Sequence, residues 1–202
     1  MPDRRTQILD GALHVIAEHG MRGLTHRAVD AAAGIPQGST SYYFRSRSAL
    51  VAGCVERLVE LDFGIEGRAI RAVAEAGRGV FDALVDISVS RVTTQRYRTV
   101  ARYELNLAAL RDPQLREVLL RAGDTVRGFA AEVLRTLGAT DPARSAEEVL
   151  ATLEGLMFTT LIRGPRDPGE VEARFRPALG RVLLAQPGVA LPGDVARDTF
   201  ES

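Results

Sequence analysis

Residues 34–44 read Gly-Ile-Pro-Gln-Gly-Ser-Thr-Ser-Tyr-Tyr-Phe, and this stretch decides the fold. Three small hydroxyl residues run into three aromatic ones, and none of the side chains is charged. Gly34 permits the positive φ that a tight turn between two helices often needs. Pro36 suits the opening of a short helix that runs to about Phe44, because proline is tolerated in the first turn of a helix.

A second short helix precedes this stretch. Thr25 is a good N-cap residue, and helical spacing of the apolar residues continues from it to about Ala32. Val29, Ile35 and Phe44 are placed to pack against a helix that comes before them. Two short helices joined at a tight turn predict a helix-turn-helix motif over about residues 25–44. Many small helical bundles contain similar turns, so the motif alone is a weak indication of function.

The rest of the chain also has helical periodicity, and alternating β-branched runs are absent. An apolar stripe over residues 8–16 predicts a first helix that Gly20 closes, and Ser46 can cap a fourth helix that continues to about Ala76. The segment Gly77-Arg78-Gly79 predicts a break. Three Asp–Pro pairs predict helix starts. The later helices are predicted at about 79–94, 98–110, 113–137, 144–163 and 168–185.

The predicted fold is therefore all-α, with about nine helices. Residues 1–62 form a three-helix helix-turn-helix domain, and the long fourth helix joins it to a larger helical bundle over residues 63–185. Residues 186–202 contain clusters of Gly and Pro and little periodicity. We therefore expect a flexible, extended tail there.

Composition limits the functional classes. The 202-residue chain has 26 basic residues, all of them Arg, and 26 acidic residues, so no overall basic field indicates a nucleic-acid partner. Cys54 is the only cysteine and the three histidines show no ligand spacing, so we expect an inert buried thiol, no metal and no cofactor. No apolar run is long enough for a membrane span, so we expect a cytoplasmic protein without a membrane partner.

Residues 4–60 closely resemble the DNA-binding domain of the TetR family of transcriptional regulators. The resemblance is carried by pieces in a fixed order: Ile8-Leu9-Asp10-Gly11-Ala12, then Gly20, Leu24, Thr25 and Arg27, the turn Ala33-Gly34-Ile35, then Gly38, Tyr42, Tyr43 and Phe44, and finally Arg47 and Leu50. Three positions depart from the common pattern of the family. Thr40 stands where a large aliphatic residue is common, Ser41 where an aromatic residue is common, and Arg47 where Lys is common.

The resemblance implies that the second helix of the motif enters the major groove of a double-stranded DNA operator. The residues placed near base edges would be Gln37, Gly38, Ser39, Thr40 and Tyr42. The residues placed on phosphates would be Thr25, Arg27, Tyr43 and Arg47, and the hydroxyl of Tyr42 is also placed on a phosphate. Structural roles are the alternatives, because Thr25 can simply cap its helix and Tyr43 can belong partly to the core.

The resemblance also implies a homodimer, formed by the last helices, and an effector pocket in the larger bundle. Two apolar faces fit a self-complementary interface, with Leu150, Leu153, Met157, Leu161, Phe175, Leu179 and Val182 as candidates. A monomeric bundle in which both faces are internal is the alternative. Polar and aromatic residues on apolar helices are the candidates for contacts with an amphipathic organic effector: Ser88, Arg91, Arg102, Tyr103, Asn106, Thr125, Phe129, Glu154 and Phe158.

The sequence therefore favours a ligand-responsive, sequence-specific DNA-binding transcriptional regulator. The expected form is a repressor that a small-molecule effector releases from a palindromic operator. An all-α enzyme is one alternative, but no nucleophile–base pair, metal-ligand spacing or phosphate loop indicates one, so we expect no catalytic residues. An oligomerisation module whose small domain binds a protein is the other alternative.

Overall fold

The computed structural model describes residues 3–62, 64, 67, 68, 70 and 79–192. Within these residues the chain forms nine helices and no strand, which confirms the predicted all-α class. The helices are α1 (Arg4–Gly23), α2 (His26–Ala32), α3 (Ser39–Tyr43), α4 (Arg47–Leu61), α5 (Val80–Val92), α6 (Arg96–Ala109), α7 (Pro113–Thr136), α8 (Pro142–Arg163) and α9 (Pro168–Leu184).

Side-chain caps begin most of these helices where the sequence predicts them. The hydroxyl oxygens of Thr25 and Ser46 accept N–H groups in the first turns of α2 and α4, each at 3.1 Å. The aspartates of the three Asp–Pro pairs, at positions 112, 141 and 167, accept first-turn N–H groups of α7, α8 and α9. Gly20, with φ 64°, interrupts the helical geometry of α1 at its predicted end.

The helix of the opening stretch is shorter than predicted, because Pro36 does not start it. Residues 36–39 form a separate turn, in which the Ser39 N–H donates to the Pro36 carbonyl at 3.1 Å. Gly38 has φ 93°, a left-handed conformation that strongly favours glycine, so helical geometry begins only at Ser39. The predicted continuation of α4 to Ala76, and the break at residues 77 and 78, fall largely outside the described residues.

The chain folds as two compact units, whose boundary differs from the predicted one. The first unit comprises Met1–Gly64 and Tyr97–Gly123, and the second comprises Ile65–Arg96 and Asp124–Ser202. α6 and the first part of α7 therefore fold with the N-terminal helices. The sequence placed them in the larger bundle because apolar spacing shows which face of a helix is buried without showing its partner.

The core of the first unit joins α1, α4 and α6. Ile8 and Leu13 of α1 and Leu105 of α6 are fully buried in one cluster. The rings of His14 and Tyr97 stack with their centroids 3.9 Å apart, which adds a lateral contact between α1 and α6. Cys54 of α4 lies in the same core, and burial raises the pKa of its thiol to about 12, as expected for an inert cysteine.

Three predicted effector contacts, Arg102, Tyr103 and Asn106, lie on α6 and so belong to the first unit. Arg102 Nη2 donates to Asp62 Oδ2 at 2.5 Å, and both side chains are largely buried. Removing one partner would leave a buried charge uncompensated, so this pair holds α6 to the end of α4. The assignment of these three residues to the larger bundle is corrected, because their helix packs elsewhere.

The second unit contains two apolar clusters, which include three of the predicted dimer residues. Met157 and Phe175 share one cluster, Leu179 belongs to the other, and all three are nearly inaccessible within a single chain. They are core residues of a single chain, as the monomeric alternative predicts for them. Their assignment to a dimer interface is therefore wrong. Leu150, Leu153, Leu161 and Val182 are half-buried.

Six predicted effector contacts lie in this second unit. Ser88 is buried, Thr125 and Phe158 are exposed, and the half-buried members are Arg91, Phe129 and Glu154. The Ser88 hydroxyl donates to the Leu84 carbonyl of its own helix at 2.7 Å. Each of these residues has interactions within the fold, so their assignment to a ligand stays a prediction.

The start of the predicted tail is part of the second unit. The Thr140 N–H donates to the Pro187 carbonyl at 2.9 Å, and the Ala190 N–H donates to the Leu137 carbonyl at 3.1 Å. Gly138 and Gly188, at φ 95° and 83°, lie so close that a Cβ on either would collide with the carbonyl oxygen of the other. The expected mobile tail is therefore corrected for residues 186–192, and the remainder lies outside the described residues.

Candidate nucleic-acid interface

The helix α3 has only five residues, too few to be stable as an isolated helix. Its N-cap residue is Gly38, which has no side chain to accept the first N–H groups. The geometry of α3 must therefore come from the residues around it. Most of that support comes from α2, through one contact near each end of α3.

The carboxylate of Asp30, on α2, accepts hydrogen bonds from the N-terminal end of α3. Oδ2 accepts the Gly38 N–H at 2.7 Å, and Oδ1 accepts the Thr40 N–H at 2.8 Å and the Thr40 hydroxyl at 2.6 Å. Both side chains are buried, and Thr40 is 0% exposed. The carboxylate acts as a cap supplied by a neighbouring helix, because it satisfies N–H groups that α3 cannot satisfy itself.

The electrostatics of Asp30 follow from these contacts. Burial by itself raises the pKa of Asp30, but hydrogen bonds from Thr40 and from the Gly38 N–H, together with the nearby His26, lower it below its ordinary value. The carboxylate is therefore ionised at neutral pH in spite of its burial. Its charge is met by backbone and hydroxyl donors from α3, so no buried cation is required.

The other end of α3 is held by His26, one turn earlier on α2. His26 Nε2 donates to the Phe44 carbonyl at 2.8 Å, just after the last helical residue. Phe44 is a core residue, as predicted, and the Arg5 guanidinium lies 5.0 Å from the centre of its ring. The turn between the two helices is tied to α1 by Gln7 Nε2, which donates to the Ala33 carbonyl at 2.8 Å.

The outward side of this region carries most of the residues predicted to contact DNA. Gln37 and Gly38 are exposed in the turn before α3. Tyr42 is 73% exposed and Tyr43 is 45% exposed, so neither belongs mainly to the core. Ser39 is half-buried, and its hydroxyl donates to the Pro36 carbonyl at 2.6 Å.

Thr40 is the predicted base contact that the structure corrects. Its side chain faces Asp30 inside the fold and cannot reach a base edge. Sequence reasoning missed Asp30 and His26, although their spacing of four places both side chains on one face of α2. A polar residue at position 40, where the family commonly has an aliphatic one, was the available signal of a buried polar partner. Ser41, left out of the predicted contacts, is exposed.

The flanking residues occupy the starts of neighbouring helices. Thr25 caps α2 and remains exposed, and Arg27 is exposed in the first turn of α2. Arg47, at the start of α4, is also exposed, but its guanidinium donates to the carbonyls of Met21 and Leu24. Arg47 therefore ties α4 to the end of α1 in addition to presenting a positive charge.

Two findings on the described ranges concern metal ions and membranes. No group of three or more His, Cys, Asp or Glu side chains there could hold a metal ion. No described helix is long and apolar enough to cross a membrane.

Known protein families match both parts of the chain. The description "Bacterial regulatory proteins, tetR family" matches residues 8–54, and "Tetracyclin repressor-like, C-terminal domain" matches residues 76–185. The second match alone covers more than half of the chain. The chain belongs to the TetR family. The helix-turn-helix of this TetR-family protein is thus the element that the N-terminal family description covers.

Individual relatives agree with membership of the TetR family. The chain is 34% identical over 101 residues to the HTH-type transcriptional repressor KstR2 of Rhodococcus jostii strain RHA1, a match covering 50% of this chain and 48% of KstR2. The matched part thus spans about half the length of this curated relative. The multidrug binding protein EbrR, solved with imidazole, is 29% identical with a TM-score of 0.62, and the match covers 96% of this chain and 98% of EbrR.

A second solved structure is similar over most of its length. SCO1917, a TetR-family member from Streptomyces coelicolor A3, is 30% identical with a TM-score of 0.67, and the match covers 90% of this chain and 98% of that one. EbrR has also been solved in complexes with ethidium and with malachite green.

We expect Thr40→Val to lower the free energy of unfolding by about 1–3 kcal/mol, because the buried Asp30 carboxylate loses a donor. Thr40→Ser keeps that donor and should cost about 1 kcal/mol or less. Urea denaturation followed by circular dichroism measures both values. Equal stability of the two variants would contradict the role assigned to the hydroxyl.

The same comparison has a defined pH dependence. Because the folded-state pKa of Asp30 is lowered, its carboxylate contributes stability above the ordinary value of 3.8 and loses that contribution as the pH falls further. The cost of Thr40→Val should therefore be largest near neutral pH and should shrink in acid. A cost that is constant with pH would show that the ionised carboxylate is not involved.

Proposed function

We propose that this protein is a ligand-responsive transcriptional repressor that binds a palindromic DNA operator as a homodimer. The observation that carries the proposal is the uncharged, exposed surface of Gln37, Ser41 and Tyr42, which a buried framework supports and exposed arginines flank. The family match and the similarity to the repressor KstR2 support the same proposal.

The proposed contacts divide into two kinds. Gln37 and Ser41 can exchange hydrogen bonds with base edges in the major groove, where each base pair presents a distinct donor and acceptor pattern. Arg27 and Arg47, which lie outside α3, are assigned to phosphates, together with the hydroxyls of Thr25 and Tyr43. An uncharged reading surface is therefore compatible with DNA binding, since neighbouring elements supply the positive charge.

Salt dependence and two substitutions test this division. Arg27→Ala should weaken binding to specific and unrelated duplexes alike, and should lower the log–log salt slope by about one. Gln37→Ala should instead relax the preference at one base pair, with a loss of about 1–3 kcal/mol of discrimination. Random-duplex selection followed by anisotropy titrations at several salt concentrations measures both effects.

The matched control is Arg166→Ala, which removes an exposed arginine from a loop of the second unit. It should leave both the affinity and the salt slope unchanged. If the wild-type chain bound its selected duplex with a flat salt dependence, the assignment of phosphate contacts would fail.

The proposed dimer uses one face of α8. Phe158 and Ile162 are 46% and 60% exposed, which is high for large apolar side chains. Ala151 and Gly155 lie on the same face by helical spacing and are also exposed. Small residues beside large apolar ones allow two helices to approach closely, so this face suits a self-complementary contact with the same helix of a second copy.

Phe158→Glu should raise the dissociation constant of the homodimer by about tenfold or more, because a charge would be buried in the interface. Light scattering after size-exclusion chromatography, over a dilution series, measures the change. Leu110→Glu is the control, since Leu110 is 77% exposed in the first unit. A dimer that dissociates equally in both variants, or in neither, would exclude this face.

The proposed effector site lies in the second unit, beside the apolar cluster that contains Val92, Met157 and Phe175. Thr160, on the same helix as Met157, has a buried hydroxyl without a hydrogen-bond partner in the part of the chain that the structure describes. A polar atom of a ligand that reached this hydroxyl would satisfy it. An amphipathic organic molecule fits this combination.

Thr160→Val should weaken effector binding about tenfold, because the ligand loses the hydrogen bond to the buried hydroxyl. A thermal-shift screen without DNA, beginning with imidazole and malachite green, identifies a ligand, and calorimetry compares the variants. Thr159→Val is the matched control, since its hydroxyl is exposed and already donates to the Gly155 carbonyl at 2.9 Å. Equal affinities for the two variants would remove Thr160 from the site.

A further inference from the structure

Two residues of α2 hold α3 at opposite ends. Asp30 accepts three hydrogen bonds at residues 38 and 40, at 2.6–2.8 Å. His26 donates to the carbonyl of Phe44 at 2.8 Å. A spacing of four residues places His26 and Asp30 on the same face of α2, so one helix carries both contacts.

Contacts at two ends constrain a short helix more than a contact at one end. A single tie would leave α3 able to pivot about that point, whereas two ties restrict its rotation and its translation. Rotation matters because successive residues of a helix are separated by about 100° around its axis. Because Thr40 faces inward to Asp30, Ser41 and Tyr42 face outward.

We propose that His26 and Asp30 are positioning residues for base recognition. They form a two-point clamp, defined as His26 with Phe44 at one end and Asp30 with Gly38 and Thr40 at the other. The clamp sets which side chains of α3 meet the bases, and the proposal rests on the proposed function in assigning α3 to the major groove. Neither residue needs to touch DNA.

The clamp predicts a selective defect. Arg27 and Arg47 lie on α2 and α4, outside α3. Loosening α3 should therefore reduce the discrimination between duplexes while leaving the phosphate contacts of these two arginines, and hence most of the non-specific affinity, in place. A residue that only stabilises the fold would lower both affinities together, in proportion to the folded fraction.

The test compares Asp30→Asn and His26→Leu with Asp10→Asn. The control removes a carboxylate that pairs with Arg57 at 2.8 and 3.1 Å, linking α1 to α4 in the same unit without contacting α3. We expect the ratio of specific to non-specific affinity to fall about tenfold in the two clamp variants. The ratio should change by less than about twofold in the control, and the salt slope should stay unchanged in all three.

A conservative variant adds a second readout. His26→Gln retains an N–H donor for the Phe44 carbonyl and should preserve more of the discrimination than His26→Leu. If Asp30→Asn does not fold, the double variant Asp30→Ala/Thr40→Val replaces it, because the hydroxyl donor is removed together with its acceptor and only the two backbone N–H groups lose a partner. Folded clamp variants that keep the wild-type affinity ratio would overturn the proposal, as would an equal loss in Asp10→Asn.

Amide hydrogen exchange without DNA separates the clamp from the proposed function. In Asp30→Asn the amides of residues 38–44 should exchange about tenfold faster or more, while those in the interiors of α1 and α4 should not change. If the wild type selects no duplex, the proposed function fails, and exchange still decides whether the clamp holds α3. Unchanged exchange at residues 38–44 would overturn the clamp itself.

Discussion

The carboxylate of Asp30, with its three hydrogen bonds, is the interaction on which the candidate interface depends. An ionised group is costly to bury, and this one is tolerated because Gly38 and Thr40 supply donors for both of its oxygens. The dependence is mutual, since α3 is too short to hold its own geometry and begins at a glycine that cannot cap it. The buried charge and the short helix therefore stabilise one another.

This arrangement separates the structural support of the motif from the residues proposed to read bases and from those proposed to bind phosphates. The inward side of the motif is a polar and aromatic framework, its outward side is uncharged and rich in hydroxyl groups, and the exposed arginines begin the neighbouring helices. A balance of 26 basic and 26 acidic residues is consistent with such a design. Only a local field is needed where phosphates would approach, so the total charge of a chain says little about a small interface.

The features predicted correctly from the sequence are those that depend on residues close together along the chain. Helix starts at Thr25, Ser46 and the three Asp–Pro pairs were predicted correctly, because a cap is made by residues within one turn of each other. The start of α3 was placed three residues early, since Gly38 adopts a left-handed conformation and its N–H binds a carboxylate eight residues away. The order of the motif was readable from the sequence, whereas the inward direction of Thr40 was not.

Features that depend on a distant partner were the ones that sequence reasoning missed. Arg102 has the composition of a pocket residue on an apolar helix, yet it pairs with Asp62, forty positions earlier. Met157 and Phe175 have the spacing expected of an interface, but both are buried in the core of a single chain. Helical periodicity separates buried from exposed faces, but it does not distinguish an internal partner from a second copy of the chain or from a ligand.

The close contact between Gly138 and Gly188 extends the second unit beyond the last residue that the family description covers. That description ends at residue 185, whereas the backbone continues across the turn after α7 and hydrogen-bonds to it from residues 187 and 190. The two glycines lie so close together that neither has room for a methyl group. This contact holds the end of the unit against the turn after α7. A version of the unit ended at the last turn of α9 would lack the segment that hydrogen-bonds to the turn after α7, and an appended tag or fusion partner belongs beyond residue 192.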